Sequence, residues 1–357
     1  MHKILIMTNF PEQIREWYIE HGRRLPWRDT KDPYKIWISE VILQQTRVDQ
    51  GLAYYQRFIE AFPDVTALAQ ASETRLMQLW QGLGYYSRAR NLHQAAQTIV
   101  NEHNGKMPQT YKKIKNLKGI GPYTAAAIAS FAYNLPHAVV DGNVYRVLSR
   151  YFATGLPIDS TAGRKHFSKV ADDFLDKKDP AGHNQAIMEL GALICKPAKP
   201  LCEQCPVNET CDAFATGTQN RFPVKTKRIT RKKRYLHYLI IIKNQHIIIN
   251  KRTGQDIWKG LYQFPLIETP GPASSNDIEK ELKNKNTGFS GIKKLLEKRH
   301  LLTHQELHTS FYRVEITTEE FLSRWTDETS FQSIPITQIK EIPFPQLIAE
   351  NLSKLLP

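Results

Sequence analysis

The chain has 357 residues, 41% of them hydrophobic, a formal net charge of +14 and a pI near 9.5. That length fits two domains of roughly 150 residues with ordinary apolar cores, and the positive excess points to an anionic partner. No run approaches the roughly 18 apolar residues that cross a bilayer as a helix, so a membrane-spanning protein is excluded as an expectation.

The first residues, MHKILIMTNFPEQI, hold too short an apolar stretch for a secretory leader. From there to about residue 222 the periodicity is helical. Apolar residues recur at three- and four-residue intervals over 34–55, 66–79, 89–102, 124–133, 144–151 and 182–194. Glycine and proline punctuate between these runs, at Pro63, Gly82 and Gly84, Gly105, Gly119, Gly121, Pro122 and Pro136. Residues 225–234 then hold seven basic side chains and no acidic one. Such a run reads equally as a solvated linker and as a segment that tracks phosphate. Beyond it, 235–250 (YLHYLIIIKNQHIIIN) is β-branched and aromatic with a break at Lys243-Asn244-Gln245, the pattern of a strand hairpin. Residues 308–316 and 331–336 also read as strands, and 270–291 as a polar loop with a short exposed helix. The predicted organisation is a helical domain over 1–222, a basic linker over 223–234 and an α+β domain over 235–357, with no internal repeat.

The only four cysteines are gathered as Cys195-x6-Cys202-x2-Cys205-x5-Cys211. Thiolate sulfur is a soft ligand for zinc or an iron–sulfur cluster, and short spacings let several sulfurs converge. The intervals are not those of a paired zinc ribbon. A zinc knuckle or two disulfides are the alternatives; the absence of a leader favours a reducing compartment and counts against disulfides.

Three further features carry chemistry. Leu117-Lys-Gly-Ile-Gly-Pro-Tyr-Thr-Ala125 precedes an alanine-rich helix. Gly119 and Gly121 allow a tight turn, and free N–H groups at the helix start suit a phosphate oxygen, although most glycine turns only turn. Glu40 stands inside an apolar run, SEVILQQT, sharing a helical face with Leu43 and Gln44. By itself such a glutamate is more often a surface charge. Asp141, in Ala-Val-Val-Asp-Gly-Asn143, has the ordinary position of a helix N-cap.

In combination these segments resemble a known family. The cysteine spacing is similar to the [4Fe–4S] loop of the endonuclease III superfamily. SEVILQQTRV, the glycine hairpin, VVDGNVYRVLSR and the cysteine loop, in that order, resemble adenine DNA glycosylases of the MutY type. Pro26-Trp-Arg28, Gly82-Leu-Gly-Tyr-Tyr-Ser-Arg-Ala-Arg90 and Asn184-Gln-Ala-Ile-Met-Glu-Leu-Gly191 extend the match. The resemblance implies an all-α helix-hairpin-helix glycosylase fold, with the motif near 112–130 and a cluster loop at 195–211, followed by an α+β Nudix-like domain. It implies one [4Fe–4S] cluster on Cys195, Cys202, Cys205 and Cys211.

The implied activity is base excision repair: removal of adenine mispaired with 8-oxoguanine or guanine. The resemblance assigns to Glu40 the proton that lets adenine leave as a neutral base, which needs a pKa raised by burial. Asp141, ionised, would stabilise the oxocarbenium-like sugar, as a second carboxylate does in retaining glycosidases. Tyr123 and Asn143 would position them. A lysine stands at the position of Tyr123 in relatives that also cut the backbone; a phenol cannot form that imine, so base removal without strand cleavage is expected. The target base must be flipped out. Its pocket maps onto Trp27, Arg28, Leu43 and Gln185, and the contacts to lesion and DNA onto Gln45, Thr46, Leu83, Tyr85, Gly119 and Gly121. Without the resemblance, Trp27 and Tyr85 read as packing aromatics.

Trp258-Lys-Gly-Leu-Tyr-Gln-Phe-Pro265 resembles the start of the Nudix-like domain of the same family. Glu279, Glu281 and Glu297 are not spaced as a magnesium-binding glutamate helix, so the domain reads as binding rather than hydrolysing. The family's Phe-Ser-His lesion turn corresponds to Leu302-Thr303-His304. Threonine keeps the hydroxyl, and the phenyl is lost. Partners implied are duplex DNA with an 8-oxoguanine:adenine pair and no membrane, with the chain acting as a monomer, in a bacterial cytoplasm at the nucleoid or in a eukaryotic nucleus. The rival readings are an endonuclease III-like glycosylase/lyase for oxidised pyrimidines, a non-catalytic lesion-binding protein and a Nudix pyrophosphohydrolase.

Overall fold

A computed structural model describes residues 9–226, 230–284, 289–316 and 331–357. The leader reading of the first residues, and residues 227–229 of the linker, fall outside these. Among the described residues no helix is long and apolar enough to cross a membrane. Two compact units emerge from the backbone: one built from the chain up to Gln70 and from Asn91 to the linker, the other from Ala71–Arg90 and the chain after the linker.

The first unit is helical. It contains α1 (Phe10–His21), α2 (Pro33–Ile42), α3 (Val48–Ala61) and α4 (Val65–Gln70). The run predicted as one helix over 34–55 is two, because Gln45 adopts a left-handed φ of 59° and Leu43 caps α2. Apolar spacing continues across the break since both flanks face a core; the polar Gln44-Gln45-Thr46 is what ends the helix. In the same way 66–79 divides into α4 and α5 (Glu73–Trp80), the latter part of the second unit, where the Ser72 hydroxyl accepts from the Arg75 N–H at 3.2 Å. Such a cap satisfies one of the orphan donors at a helix start.

Next come α6 (Ser87–His103), α7 (Tyr111–Lys115) and α8 (Pro122–Tyr133). Residues Thr124 to Phe131 of α8 are all buried, as expected of a helix apolar on every side, and its alanines let α2 lie against it. The hairpin between α7 and α8 turns at Gly119, φ +78°; a Cβ there would stand 2.5 Å from that of Asn91. α9 (Gly142–Tyr151), α10 (Thr161–Phe174), α11 (Pro180–Leu193) and α12 (Asp212–Ala215) follow. Phe10, Ile14 and Trp17 of α1 share one core with Val147, Leu148 and Tyr151 of α9 and with Ile187 and Leu190 of α11.

In the second unit a mixed sheet is ordered β3-β2-β1-β6-β5, with β4 on β1 and β7 on β2. The predicted hairpin is β1 (Lys232–Lys243) and β2 (His246–Lys251), joined through Asn244 and Gln245 at φ 48° and 61°. β3 (Tyr262–Gln263) and β4 (Leu266–Thr269) come next. β6 (Gln305–Ile316) runs parallel to β1, and β7 (Phe331–Pro335) lies on β2. β5 (Phe289–Leu301) was not predicted: its apolar and basic residues never alternate cleanly, because it is a sheet-edge strand exposed along much of its length. The helix expected within 270–291 is α13 (Ser275–Asn284), and it is amphipathic rather than wholly exposed, with Ile278 and Leu282 buried. Glu279 and Glu281 sit on it, whereas Glu297 lies on β5 beside Lys294.

Candidate active site

Glu40 occupies the last turn of α2, a helix opened by Asp32, whose carboxylate accepts from the Tyr34 N–H at 2.9 Å. The glutamate is 6% exposed, so the surface position that its residue type alone favours is not the one it takes. Its neighbours explain this: Ile36, Trp37, Ile38, Val41 and Ile42 are all buried, and no face of this turn reaches solvent. The Tyr123 hydroxyl on α8 donates to Glu40 Oε2 at 2.6 Å. Burial pushes the Glu40 carboxyl up to about 7; the Tyr123 hydrogen bond opposes this, Asp141 adds to it and Arg28 opposes it.

Asp141 is the N-cap of α9. Its Oδ1 accepts from the N–H groups of Asn143 and Val144, both at 2.8 Å, and its Oδ2 from Asn143 Nδ2 at 2.8 Å. Burial raises its pKa, and the Val144 and Asn143 donors pull the other way. These three donors match the anion. Asn143 is in turn held by Arg146 Nη2 at 2.8 Å, and the same guanidinium bonds the carbonyls of Gly191 and Cys195. Gly191 is required by this packing: a Cβ there would lie 2.6 Å from Asn143 Cβ. Asn184, 1% exposed, donates to the His137 carbonyl and accepts from the Val139 N–H. That clamp ties α11 to the extended segment that delivers Asp141.

One cavity of about 190 Å³ collects these groups. Glu40, Asp141, Tyr123 and Asn143 line it together with Trp27, Arg28, Leu43, Gln185 and Thr46. Trp27 packs edge-on to Tyr55 at 5.2 Å, and Tyr18 donates to Gln185 Oε1 at 2.8 Å. Two charged lining residues were missed by sequence reasoning, Arg23 and Glu189. The signal was available: Glu189 stands four residues after Gln185 in an apolar helix, the same arrangement that singled out Glu40.

Other sequence-predicted residues lie elsewhere. Gln45 forms the turn after α2 and does not line this cavity. Gly119 makes the hairpin turn; Gly121 caps α8, and a Cβ on it would meet nothing within 4 Å. Leu83 and Tyr85 belong to the second unit, where they line a groove of about 520 Å³ with Trp258, Thr303 and His304. Within it Tyr85 Oη and Thr303 Oγ1 are 2.5 Å apart. Leu302 packs against the sheet core.

The four cysteines are free of disulfides and line a cavity of about 30 Å³ with Arg150 and Ile194. Arg150 Nη1 lies 3.4 Å from Cys195 Sγ and 2.7 Å from the Lys196 carbonyl. Among the described residues no three His, Cys, Asp or Glu side chains are grouped as around a single metal ion.

Comparison with known proteins bears on this arrangement. The family model described as HhH-GPD superfamily base excision DNA repair protein matches residues 38–170, and a NUDIX domain model matches residues 237–354. An adenine DNA glycosylase of Buchnera aphidicola subsp. Baizongia pistaciae is 37% identical over 306 residues, 84% of this chain and 84% of that protein. The chain belongs to the adenine DNA glycosylase family. Membership makes it a base excision repair enzyme that hydrolyses an N-glycosidic bond. The Homo sapiens adenine DNA glycosylase is 44% identical over 216 residues, 58% of this chain and 40% of that protein. Among solved structures, a thermostable thymine-DNA glycosylase matches at a TM-score of 0.57 and 27% identity, covering 60% of this chain and 100% of that one. A trapped endonuclease III–DNA covalent intermediate matches at 0.51 and 20% identity, over 58% of this chain and 94% of that one, a likeness of fold. For this adenine glycosylase family member, then, the helical glycosylase fold and the Nudix domain read from sequence both stand.

Proposed function

We propose that the protein excises adenine opposite 8-oxoguanine in duplex DNA without cutting the strand, with Glu40 as the acid and Asp141 as the stabiliser of the sugar cation. The observation that carries this is the pairing of a buried Glu40, its pKa near 7, with Asp141 across one cavity. At neutral pH such a carboxyl still holds a proton to give to adenine N7, and the base departs neutral. The same group, once ionised, takes the proton of the attacking water. Asp141, ionised, faces the positive charge that develops on the deoxyribose. Tyr123 offers a phenol and no amine, so the imine of strand-cutting relatives has no nucleophile on α8.

The groove of Leu83, Tyr85, Thr303 and His304 is the candidate site for the 8-oxoguanine, with the Thr303 hydroxyl as a hydrogen-bonding group. Gln45, Thr46, Gly119 and Gly121 are the further DNA contacts, where the hairpin offers free N–H groups to phosphate. Cys195, Cys202, Cys205 and Cys211 would hold one [4Fe–4S] cluster: four thiols around a common cavity suit a polynuclear group better than a single ion. Such a cluster supplies a crosslink that fixes the loop. The enzyme would act as a monomer on duplex DNA, in a bacterial cytoplasm or a eukaryotic nucleus.

Single-turnover excision from an 8-oxoguanine:adenine duplex, beside an adenine:thymine duplex and beside Glu40→Gln, tests the reading. Excision confined to the lesion duplex and lost in Glu40→Gln, with duplex binding kept, is the expected result. Equal excision from both duplexes, or an active Glu40→Gln, rejects it.

A further inference from the structure

We propose that Glu189 is a positioning residue which cancels one of the two charges of the arginine pair in the base pocket and thereby leaves Glu40 its proton; the inference rests on the reading of Glu40 as the acid. Glu189 sits on α11 with its side chain fully buried. Its Oε1 accepts from the Arg23 N–H at 3.0 Å and Arg23 Nε at 2.7 Å. Its Oε2 accepts from Arg23 Nη2 at 2.8 Å and Arg28 Nη2 at 2.7 Å. Arg28 Nη1 closes the triad by donating to the Arg23 carbonyl at 3.0 Å. Both arginines line the cavity that holds Glu40.

Stability alone is a poor reason for this triad. A buried ion pair is seldom better than an apolar replacement of equal volume. The pocket gives a better one. A guanidinium in the base site offers donors to the ring nitrogens of a purine, yet a positive charge near a carboxyl favours its ionised form. Arg28 already pulls Glu40 in that direction. Two uncompensated arginines would draw the carboxyl further toward its ionised form. Glu189 answers both needs, because it orients Arg28 and cancels one unit of charge. The other groups facing Glu40 are Tyr123 on α8 and Asp141 at the head of α9, while Asp49 on α3 and Tyr18 on α1 face Arg23. None of these hydrogen-bonds both guanidinium groups as Glu189 does.

The test is the pH dependence of single-turnover excision in the full-length protein. Glu189→Gln keeps the shape and leaves both arginines unbalanced, so its alkaline limb is expected to move down by about one pH unit. Arg23→Gln removes one positive charge and is expected to move the limb upward. The double variant Glu189→Gln/Arg23→Gln restores the net charge of the triad and is expected to return the limb toward that of the wild type. An unmoved or rising limb in Glu189→Gln overturns the inference. If that variant does not fold, as circular dichroism would reveal, an unmoved limb in Arg23→Gln overturns it instead. Glu40→Gln is run alongside. Should it remain active, the reading of Glu40 itself has failed; should it be dead while the limbs stay fixed, only the role of Glu189 has failed.

Discussion

Tyr123 donates its phenolic hydrogen to Glu40 Oε2 at 2.6 Å, joining α8 to α2 at the floor of the cavity. The bond has two effects on the acid: it fixes the carboxyl's orientation, and it favours the ionised form. In Tyr123→Phe both are lost. The rate is expected to fall on the order of tenfold, the worth of one hydrogen bond to a charged group. The alkaline limb of the profile, which the Glu40 carboxyl sets on this reading, is expected to move to higher pH. Single-turnover rates across a pH series check both effects.

Glu40 should cost the fold stability when it ionises. Its carboxyl is raised from 4.5 to about 7 by burial, so folding favours the protonated form. That favourable contribution is complete below about 4.5 and is lost as pH rises through 7. At roughly 1.4 kcal/mol per unit the loss is a few kcal/mol. Glu40→Gln is therefore expected to melt higher than the wild type at pH above 7, and the difference should shrink toward acid pH. Thermal denaturation at a series of pH values measures it.

An amine placed where Tyr123 stands would meet the sugar cation directly. Borohydride trapping is expected to give little covalent adduct with the wild type and more with Tyr123→Lys. Abundant trapping by the wild type would contradict base removal without strand cleavage.

Gly191 has no room for a methyl group, since its Cβ would lie 2.6 Å from that of Asn143. Gly191→Ala is expected to destabilise the protein by about 1–3 kcal/mol, the usual cost of overpacking. It should also lower excision more than DNA binding, because the residue displaced, Asn143, is one that orients Asp141 through its N–H and Nδ2. Melting temperature and single-turnover rate, measured on the same preparation, separate the two effects.

Thr303 carries the hydroxyl that faces Tyr85 in the groove of the second unit. Thr303→Val keeps the shape and removes the hydrogen bond. The preference for 8-oxoguanine over guanine opposite adenine is expected to fall about tenfold, with little change on the guanine duplex. An unchanged preference would remove Thr303 from lesion reading.

The parts of this architecture legible in the sequence were those with a strict local period or an unusual spacing. The alanine-rich α8, the β1–β2 hairpin and the clustered thiols all announced themselves. What stayed hidden depended on long-range context. Nothing in SEVILQQT tells a buried glutamate from an exposed one; the packing of α8 against α2 decides it. The break at Gln45 was masked because the apolar pattern runs through it. β5 was missed since an edge strand need not alternate. Arg23 and Glu189 are 166 positions apart, and only the fold pairs them.

The cavity between α2, α8 and α11 measures about 190 Å³ and is set among the side chains of a packed helical domain, where a base can enter only after it has left the duplex stack. An adenine therefore arrives there singly, after its pairing and stacking have already been given up. The cost of that arrival depends in part on the duplex, through how firmly its partner holds the adenine. A weak pair breathes often and a sound one seldom, so part of the enzyme's discretion is written in the thermodynamics of the DNA it patrols.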